Sequence, residues 1–232
     1  MLEPISSELR GVRSRLRVAP GLWFPLRTTV VVLSDGGLVL HSPLDFDAEA
    51  AAAIDALGPV RAIVAPSAFH HLFAGHAAAR WPAAELWVSP GIPKKRPDLR
   101  PTGVLGQGRP FFADELVPIE ILGMPRVREF VFHHVRSRTL LVTDLVFNIH
   151  HFETALSHVY FALTGVSRRL AQSPVFRLGV VDKVAAASSA RAVLALAVER
   201  VVPCHGEVCA DLTELSKALA RMVSWGPMAL PG

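Results

Sequence analysis

Short apolar runs separated by turn residues recur along the chain, and they predict alternating strands and helices. Residues 28–34 and 38–41 are apolar or β-branched and flank Asp-Gly-Gly, which is typical of a β-hairpin. The Ala-rich stretch 47–57 ends at Gly58 and predicts a helix. Residues 61–65 then predict a short buried strand.

The same alternation continues to the end of the chain. Further strands are predicted over residues 85–89, 116–122, 129–134, 139–143 and 200–203, and further helices over 69–80, 150–172, 188–199 and 212–223. A hairpin followed by interleaved strands and helices predicts an α/β fold, α+β in some classifications, with mixed sheets covered by helices.

The pattern is that of a single domain over residues 1–232. Within it, residues 1–20 are expected to form an N-terminal edge segment or a tail, because arginines alternate there with small and apolar residues. Residues 90–110 are rich in Pro and Gly and are expected to form a long loop.

Composition narrows the class of protein. The chain has 232 residues and is 51% hydrophobic, which is enough for one sizeable core. Its net charge of +4 is scattered, with no basic stripe of interleaved aromatics, so we expect no nucleic-acid partner. Two cysteines, Cys204 and Cys209, are too few for a disulfide framework.

No stretch of the sequence has the features of a membrane segment. The first residues lack the apolar core of a signal peptide. The most apolar long stretch, 139–165, carries Asp144, His150 and Glu153, which a bilayer-spanning helix would not readily tolerate. We therefore expect a cytoplasmic protein without a transmembrane segment, and a homo-oligomer is compatible with the sequence.

Ionisable residues follow several of the apolar strands at their carboxyl ends. They are His41, the pair His70 and His71, Asp144 and His205. In layered α/β folds the loops at this edge converge around a crevice, and His and Asp bind borderline metals or move protons. Each residue also fits a structural role, as a hydrogen-bonded imidazole or carboxylate that fixes a loop.

The order of these motifs resembles the metallo-β-lactamase superfamily over roughly residues 22–223. The hairpin at 29–40, the turn at 66–75, the strand ending at Asp144 and the Pro-Cys-His-Gly turn at 203–206 are similar to its opening hairpin and its three metal-binding segments. The resemblance is to an uncharacterised branch of that superfamily. It implies a four-layer αβ/βα sandwich with two mixed sheets flanked by helices.

The chain departs from the ligand pattern of the family in the main metal-binding turn. Ser67, Phe69 and Leu72 stand where three histidines are usual, and His71 stands where the family has Asp. We expect Phe69 and Leu72 to be mostly buried, filling the volume that ligands occupy in active relatives. A dinuclear metal site is disfavoured, because too few ligands are left.

The resemblance implies a hydrolase-like enzyme with a reduced site that holds one metal ion or none. In the metal-binding version, Asp144, His205, His71 and His41 converge to hold one Zn²⁺ or Fe²⁺. His70 or Glu129 is then the general base, and the substrate is a small molecule whose identity the sequence does not give. The alternative is a metal-free, non-catalytic descendant that binds a small anionic ligand or a protein partner.

Overall fold

The computed structural model of the protein describes residues 2–226. The strands of this part of the chain are β1 (Glu3–Pro4), β2 (Leu9–Ala19), β3 (Leu22–Val32), β4 (Leu38–His41), β5 (Val60–Ala65), β6 (Glu85–Val88), β7 (Gly103–Val104), β8 (Leu116–Glu120), β9 (Phe130–His134), β10 (Thr139–Val142), β11 (Phe147–Asn148), β12 (Leu170–Ala171) and β13 (Arg200–Pro203). The helices are α1 (Ala48–Asp55), α2 (Ala74–Arg80), α3 (Ile92–Lys95), α4 (Ala155–Leu163), α5 (Pro174–Leu178), α6 (Lys183–Leu194) and α7 (Leu212–Val223).

The first sheet contains the seven strands from β1 to β7 in chain order. Strands β1 to β4 pair antiparallel, and β4 to β7 pair parallel, so the sheet is mixed. Because β4 and β5 are parallel neighbours, their carboxyl ends meet at one edge. The loops that follow His41 and Ala65 therefore begin side by side.

The second sheet has four strands in the order β13-β10-β9-β8. Strand β10 pairs parallel with β13, so the loop that carries Asp144 begins beside the loop that carries His205. Strands β11 and β12 form a separate two-stranded sheet next to these loops. The backbone N–H of Asn148 donates to the carbonyl of His205, which ties β11 to the loop after β13.

The core has three principal parts, which define four layers. One packs α1, α2 and α3 against the first sheet and includes Ile54 and Ile63. The second lies between the two sheets and includes Val39 and Phe132. The third packs α6 and α7 against the second sheet and includes Val201. This arrangement is the αβ/βα sandwich that the resemblance implied.

Most predicted elements are present, with changes at their ends, but the helix predicted over 150–172 is confirmed only as α4, and the same segment includes β12. The hairpin around Asp-Gly-Gly is confirmed as β3 and β4. The segment 1–20, expected as an edge segment or tail, contains β1 and the eleven-residue β2. The segment 90–110, expected as a loop, includes the short elements α3 and β7. No helix in the described part of the chain is long and apolar enough to span a membrane.

Candidate metal centre

Three side chains from three loops meet where the two sheets come together. His70 follows β5, Asp144 follows β10 and His205 follows β13. The Nε2 atoms of His70 and His205 are 3.2 Å apart. His70 Nε2 lies 3.4 Å from Asp144 Oδ2, and His205 Nε2 lies 3.4 Å from Asp144 Oδ1. We call these three residues the His-Asp-His cluster.

His205 is fixed by two aromatic contacts and by a hydrogen bond at Nδ1. Its Nδ1 lies 2.8 Å from the carbonyl oxygen of Pro25 in β3. Because a carbonyl only accepts, Nδ1 carries the proton, and in the neutral ring the lone pair is on Nε2, which faces Asp144. Phe147 stacks on the ring at 4.8 Å, and Phe24 contacts it edge-on at 5.9 Å.

His70 is oriented by two serines. The hydroxyl of Ser67 accepts from the backbone N–H groups of Phe69 and His70, which forms a tight turn after β5. This turn directs the His70 ring toward Ser42, whose Oγ lies 2.8 Å from His70 Nδ1. The two contacts leave Nε2 of His70 facing the cluster.

The backbone at Asp144 is held in place by the carboxylate of Glu129. The Glu129 carboxylate accepts from the backbone N–H of Thr143 at 2.8 Å and from that of Asp144 at 3.2 Å. Glu129 is fully buried, and burial together with the charge of Asp144 raises its pKa to about 7. The residue predicted as a general base is therefore engaged with the backbone and positions the Asp144 loop.

His70 and Asp144 shift each other's pKa. Burial disfavours the charged form of His70, but the Asp144 carboxylate outweighs burial and raises the pKa of His70 well above its ordinary value. Burial also opposes the charge on Asp144, yet the two histidines hold its pKa below its ordinary range. The cluster thus combines an anionic carboxylate with a His70 ring that is readily protonated.

The donor set fits a single metal ion. Each of the three residues offers a ligand atom, and these atoms all lie within 4.8 Å of one another. A tetrahedral zinc site with bonds of about 2.0–2.1 Å places adjacent ligand atoms about 3.3 Å apart, close to the three separations in the cluster. Asp144 Oδ2 is buried without a well-aligned hydrogen bond from the described residues, and its neighbour at 3.4 Å is the Nε2 atom of His70, which could bind the same cation.

Two of the four residues predicted as ligands, His41 and His71, lie outside the cluster. His41 is fully buried, and its ring packs against Phe132 at 5.2 Å. Side chains alternate along a strand, so His41 shares the face of Val39, which packs into the core between the sheets. His41 consequently faces the interior and does not reach the edge where the loops converge.

His71 is the second of these residues. Its Nδ1 lies 3.5 Å from Arg96 Nη1. Burial, Lys95 and Arg96 lower the pKa of His71. Neighbouring residues in a tight turn point in different directions, and here His70 turns inward while His71 faces the segment after α3. His70, predicted as a base, therefore occupies the place expected for His71.

The expectation that Phe69 and Leu72 are buried is wrong. Phe69 is 53% exposed and Leu72 is 49% exposed. Both line a cavity of about 150 Å³ that His70, Asp144 and His205 also line. The two apolar side chains form a rim around the cluster and leave it open on that side.

A second cavity of about 310 Å³ opens beside the first. Phe24, Phe69 and Asp144 line both cavities. A separate cavity of about 360 Å³, bordered by Arg13, His150 and Glu207, includes no member of the cluster. The cluster is therefore adjacent to the two mainly apolar cavities, of about 150 and 310 Å³.

Sequence reasoning did not identify Ser42, Pro25 or Phe147 as parts of the site. Ser42 directly follows His41, with a positive φ of 58° that turns the chain after β4. Its contact with His70 joins residues 28 positions apart. Pro25 contributes only a carbonyl, which every residue possesses, so no local signal distinguishes it.

Comparison with known sequences gives one family match. The profile of a domain of unknown function (DUF4336) matches residues 19–164, which include His70 and Asp144 but end before His205. No curated protein matches the chain in sequence.

Comparison with solved structures gives metallo-β-lactamases. DIM-1 metallo-β-lactamase exposed to ceftazidime is 13% identical, with 97% of this chain and 96% of that chain covered at a TM-score of 0.68. A metallo-β-lactamase from Pontibacter korlensis is 16% identical, with coverages of 96% and 98% and a TM-score of 0.65. The mono-zinc form of FIM-1 from Pseudomonas aeruginosa is 15% identical, with coverages of 97% and 94% and a TM-score of 0.60. The chain therefore has the metallo-β-lactamase fold.

Proposed function

The chain belongs to the family of the domain of unknown function DUF4336, and on the metallo-β-lactamase fold of this member we propose a hydrolase that uses one divalent metal ion. Its ligands are His70, Asp144 and His205. The observation that carries this proposal is the convergence of two Nε2 atoms and a carboxylate, with separations of 3.2–3.4 Å, beside an open cavity. Zn²⁺ and Fe²⁺ both accept two imidazoles and one carboxylate.

A bound ion of this kind supplies Lewis acidity toward a carbonyl or phosphoryl oxygen and toward water. The chain itself sets up the ligands. Pro25 holds the protonated Nδ1 of His205, and Ser42 holds Nδ1 of His70, so both rings direct Nε2 at the same point. Such hydrogen bonds to the far nitrogen fix the ring orientation of metal-binding histidines.

The surroundings of the cluster also favour hydrolysis. Phe24 and Phe147 cover His205, which excludes bulk water from that side and strengthens the electrostatic interactions within the cluster. Asp144 is 17% exposed at its side chain, so the open side of the cluster can admit a substrate. An ester, thioester or phosphoester is the class of substrate that this chemistry serves.

One observation favours a metal-free binding protein as the second candidate. Asp144 raises the pKa of His70, so a protonated His70 can pair with the Asp144 carboxylate without a metal ion between them. In that case the cluster would fix the loops around a cavity that binds a ligand without turnover.

Hydrolysis can be tested on a panel of p-nitrophenyl esters and phosphoesters with protein supplied with one equivalent of zinc. We expect Asp144→Asn, which is nearly isosteric, to lower kcat/KM at least about 100-fold, because it weakens the ion's one anionic ligand. His151→Gln is the matched control, since the His151 side chain is 86% exposed and lies outside the cluster. Equal rates for the two variants, both folded by circular dichroism, would contradict the proposal.

A further inference from the structure

The cavity of about 310 Å³ beside the cluster has a wall that is mostly aromatic and aliphatic, and Asp144 lies in that wall. The apolar side chains that line it include Phe24, Phe147, Tyr160, Phe161, Val166 and Phe176. A chamber with such a wall gains free energy by taking up apolar groups from water. Because Asp144 belongs to the same wall, a group seated in this chamber lies next to the cluster.

Of the three hydroxyl groups in the wall, those of Thr164 and Ser173 are engaged within the protein, whereas that of Tyr160 has no hydrogen bond with the described residues. Thr164 Oγ1 donates to the carbonyl of Tyr160 at 2.9 Å. Ser173 Oγ accepts from the backbone N–H of Val175 at 3.2 Å. The wall therefore offers one available hydroxyl group, that of Tyr160, and one such group provides few hydrogen bonds for recognising a sugar, a peptide or a nucleobase.

One cation lines the same chamber. Arg126 is exposed, and it has no hydrogen bond or ion pair with any described residue. A guanidinium binds carboxylates in a planar, bidentate geometry. The chamber therefore has an apolar interior, and both a free guanidinium and Asp144 lie in its wall.

We propose that this chamber receives the apolar acyl chain of an ester-type substrate and that Arg126 binds the carboxylate of the acyl product. This substrate class rests on the proposed hydrolase function. Hydrolysis adds water to the acyl carbonyl and breaks the acyl C–O bond, and it leaves a carboxylic acid, which ionises, and an alcohol. A saturated carboxylate such as octanoate is then a product analogue that fits both parts of the chamber.

Octanoate binding, measured by isothermal titration calorimetry, tests this assignment. We expect saturable binding with a negative heat-capacity change, the sign of buried apolar surface. Val175 lines the chamber and is 59% exposed, so Val175→Glu places a carboxylate there at little expense to folding. We expect it to weaken octanoate binding about tenfold or more through desolvation and like-charge repulsion. Val184→Glu is the matched control, because Val184 is 58% exposed and does not line this chamber.

Arg126→Gln tests the carboxylate contact. We expect it to weaken octanoate binding about threefold to tenfold. Binding of 1-octanol should be unchanged, because the alcohol has no carboxylate for Arg126 to bind. Arg17→Gln is the control for a general loss of positive charge, because Arg17 is exposed and does not line this chamber.

Repeating the titrations after chelation separates this inference from the proposed function. If metal-depleted protein still binds octanoate and both chamber variants weaken it, the ligand class is supported even where hydrolysis fails. If Val175→Glu binds octanoate as tightly as Val184→Glu does, or if octanoate does not bind, the inference is overturned even where the protein holds its metal ion.

Discussion

His41 is the residue whose environment is least typical of its chemistry. Its side chain is fully buried, and neither ring nitrogen has a hydrogen-bond partner among the described residues. A neutral imidazole carries one N–H, so one buried donor is unsatisfied. Burial, followed by the charge of nearby His70, lowers the pKa of His41 to about 3. The folded protein therefore holds this ring neutral at a free-energy cost.

We expect His41→Leu to raise the free energy of unfolding by about 1–3 kcal/mol near neutral pH, because it removes an unsatisfied buried donor from an apolar environment. The variant should also resist acid. The unfolded chain protonates His41 near its ordinary pKa of about 6.5, whereas the folded chain does so only near about 3. The part of the wild type's free energy of unfolding that depends on a neutral His41 is thus fully present above about pH 6.5 and is lost as the pH falls toward about 3.

Urea unfolding at pH 7.5 and 5.5 checks both expectations. Between these pH values the wild type should lose about 1 kcal/mol more than His41→Leu does. His76→Leu is the control, because that side chain is 68% exposed. If the His41 and His76 variants lose the same stability as the wild type on acidification, the ring is not held neutral by burial.

At the residue scale, sequence reasoning located part of the cluster. The strand ends before Asp144 and His205 predicted their approach to a common edge, and the structure brings them together. The choice between His70 and His71 could not be made from the sequence. It depends on the Ser67 turn and on Arg96, which is 25 residues away.

Among the elements, the hairpin of β2 and β3 contributes to the site from outside the loops that carry the His-Asp-His cluster. It supplies the Pro25 carbonyl to His205, and Leu16 and Phe24 line the cavity at the cluster. Arg13 in β2 binds Glu207 through two hydrogen bonds, of 2.7 and 2.6 Å, and also binds Glu3. These contacts attach the hairpin to the loop that carries His205.

The ion pair of Arg13 with Glu207 is partly exposed, so its contribution to the free energy of unfolding is small. The side chains of Arg13 and Glu207 are 41% and 27% exposed. We expect Arg13→Ala to lower the free energy of unfolding by only about 0.5–1 kcal/mol, and less in 1 M NaCl, because solvent and salt screen the pair. Arg17→Ala is the comparison in chemical denaturation. If Arg13→Ala lowered the free energy of unfolding by more than about 3 kcal/mol, independently of salt, the Arg13–Glu207 pair would not be a solvent-screened ion pair.

The same hairpin shows what local patterns could and could not predict. The apolar run of β3 and the turn before β4 were readable because hydrophobic positions and a two-residue turn signal are local. The alternation of arginines with small and apolar residues in β2 fitted an edge segment or a tail, and its pairing with β3 across the turn at Gly21 was not predicted. The helix predicted over 69–80 begins only at Ala74, because the first of these residues belong to the turn that Ser67 caps.

At the scale of the whole molecule, two mixed sheets bring four loops to one edge. This arrangement explains how the chain forms the His-Asp-His cluster although its turn at 66–75 lacks three of the usual histidines. The loops after β5, β10 and β13 supply His70, Asp144 and His205, and the loop after β4 supplies Ser42. The fold was predictable because the order of motifs is specific. The reduced ligand set was partly predictable, since Ser67, Phe69 and Leu72 supply no imidazoles.

The central claim is that this cluster holds one metal ion. Elemental analysis of protein purified without chelator, after dialysis against metal-free buffer, measures it directly. We expect about one equivalent of zinc or iron per chain in the wild type and in His151→Gln, and its loss in Asp144→Asn and in His205→Gln. Two tightly held equivalents in the wild type would contradict a mononuclear site. The absence of metal, or metal retained equally by all four proteins, would contradict the cluster as its ligand set.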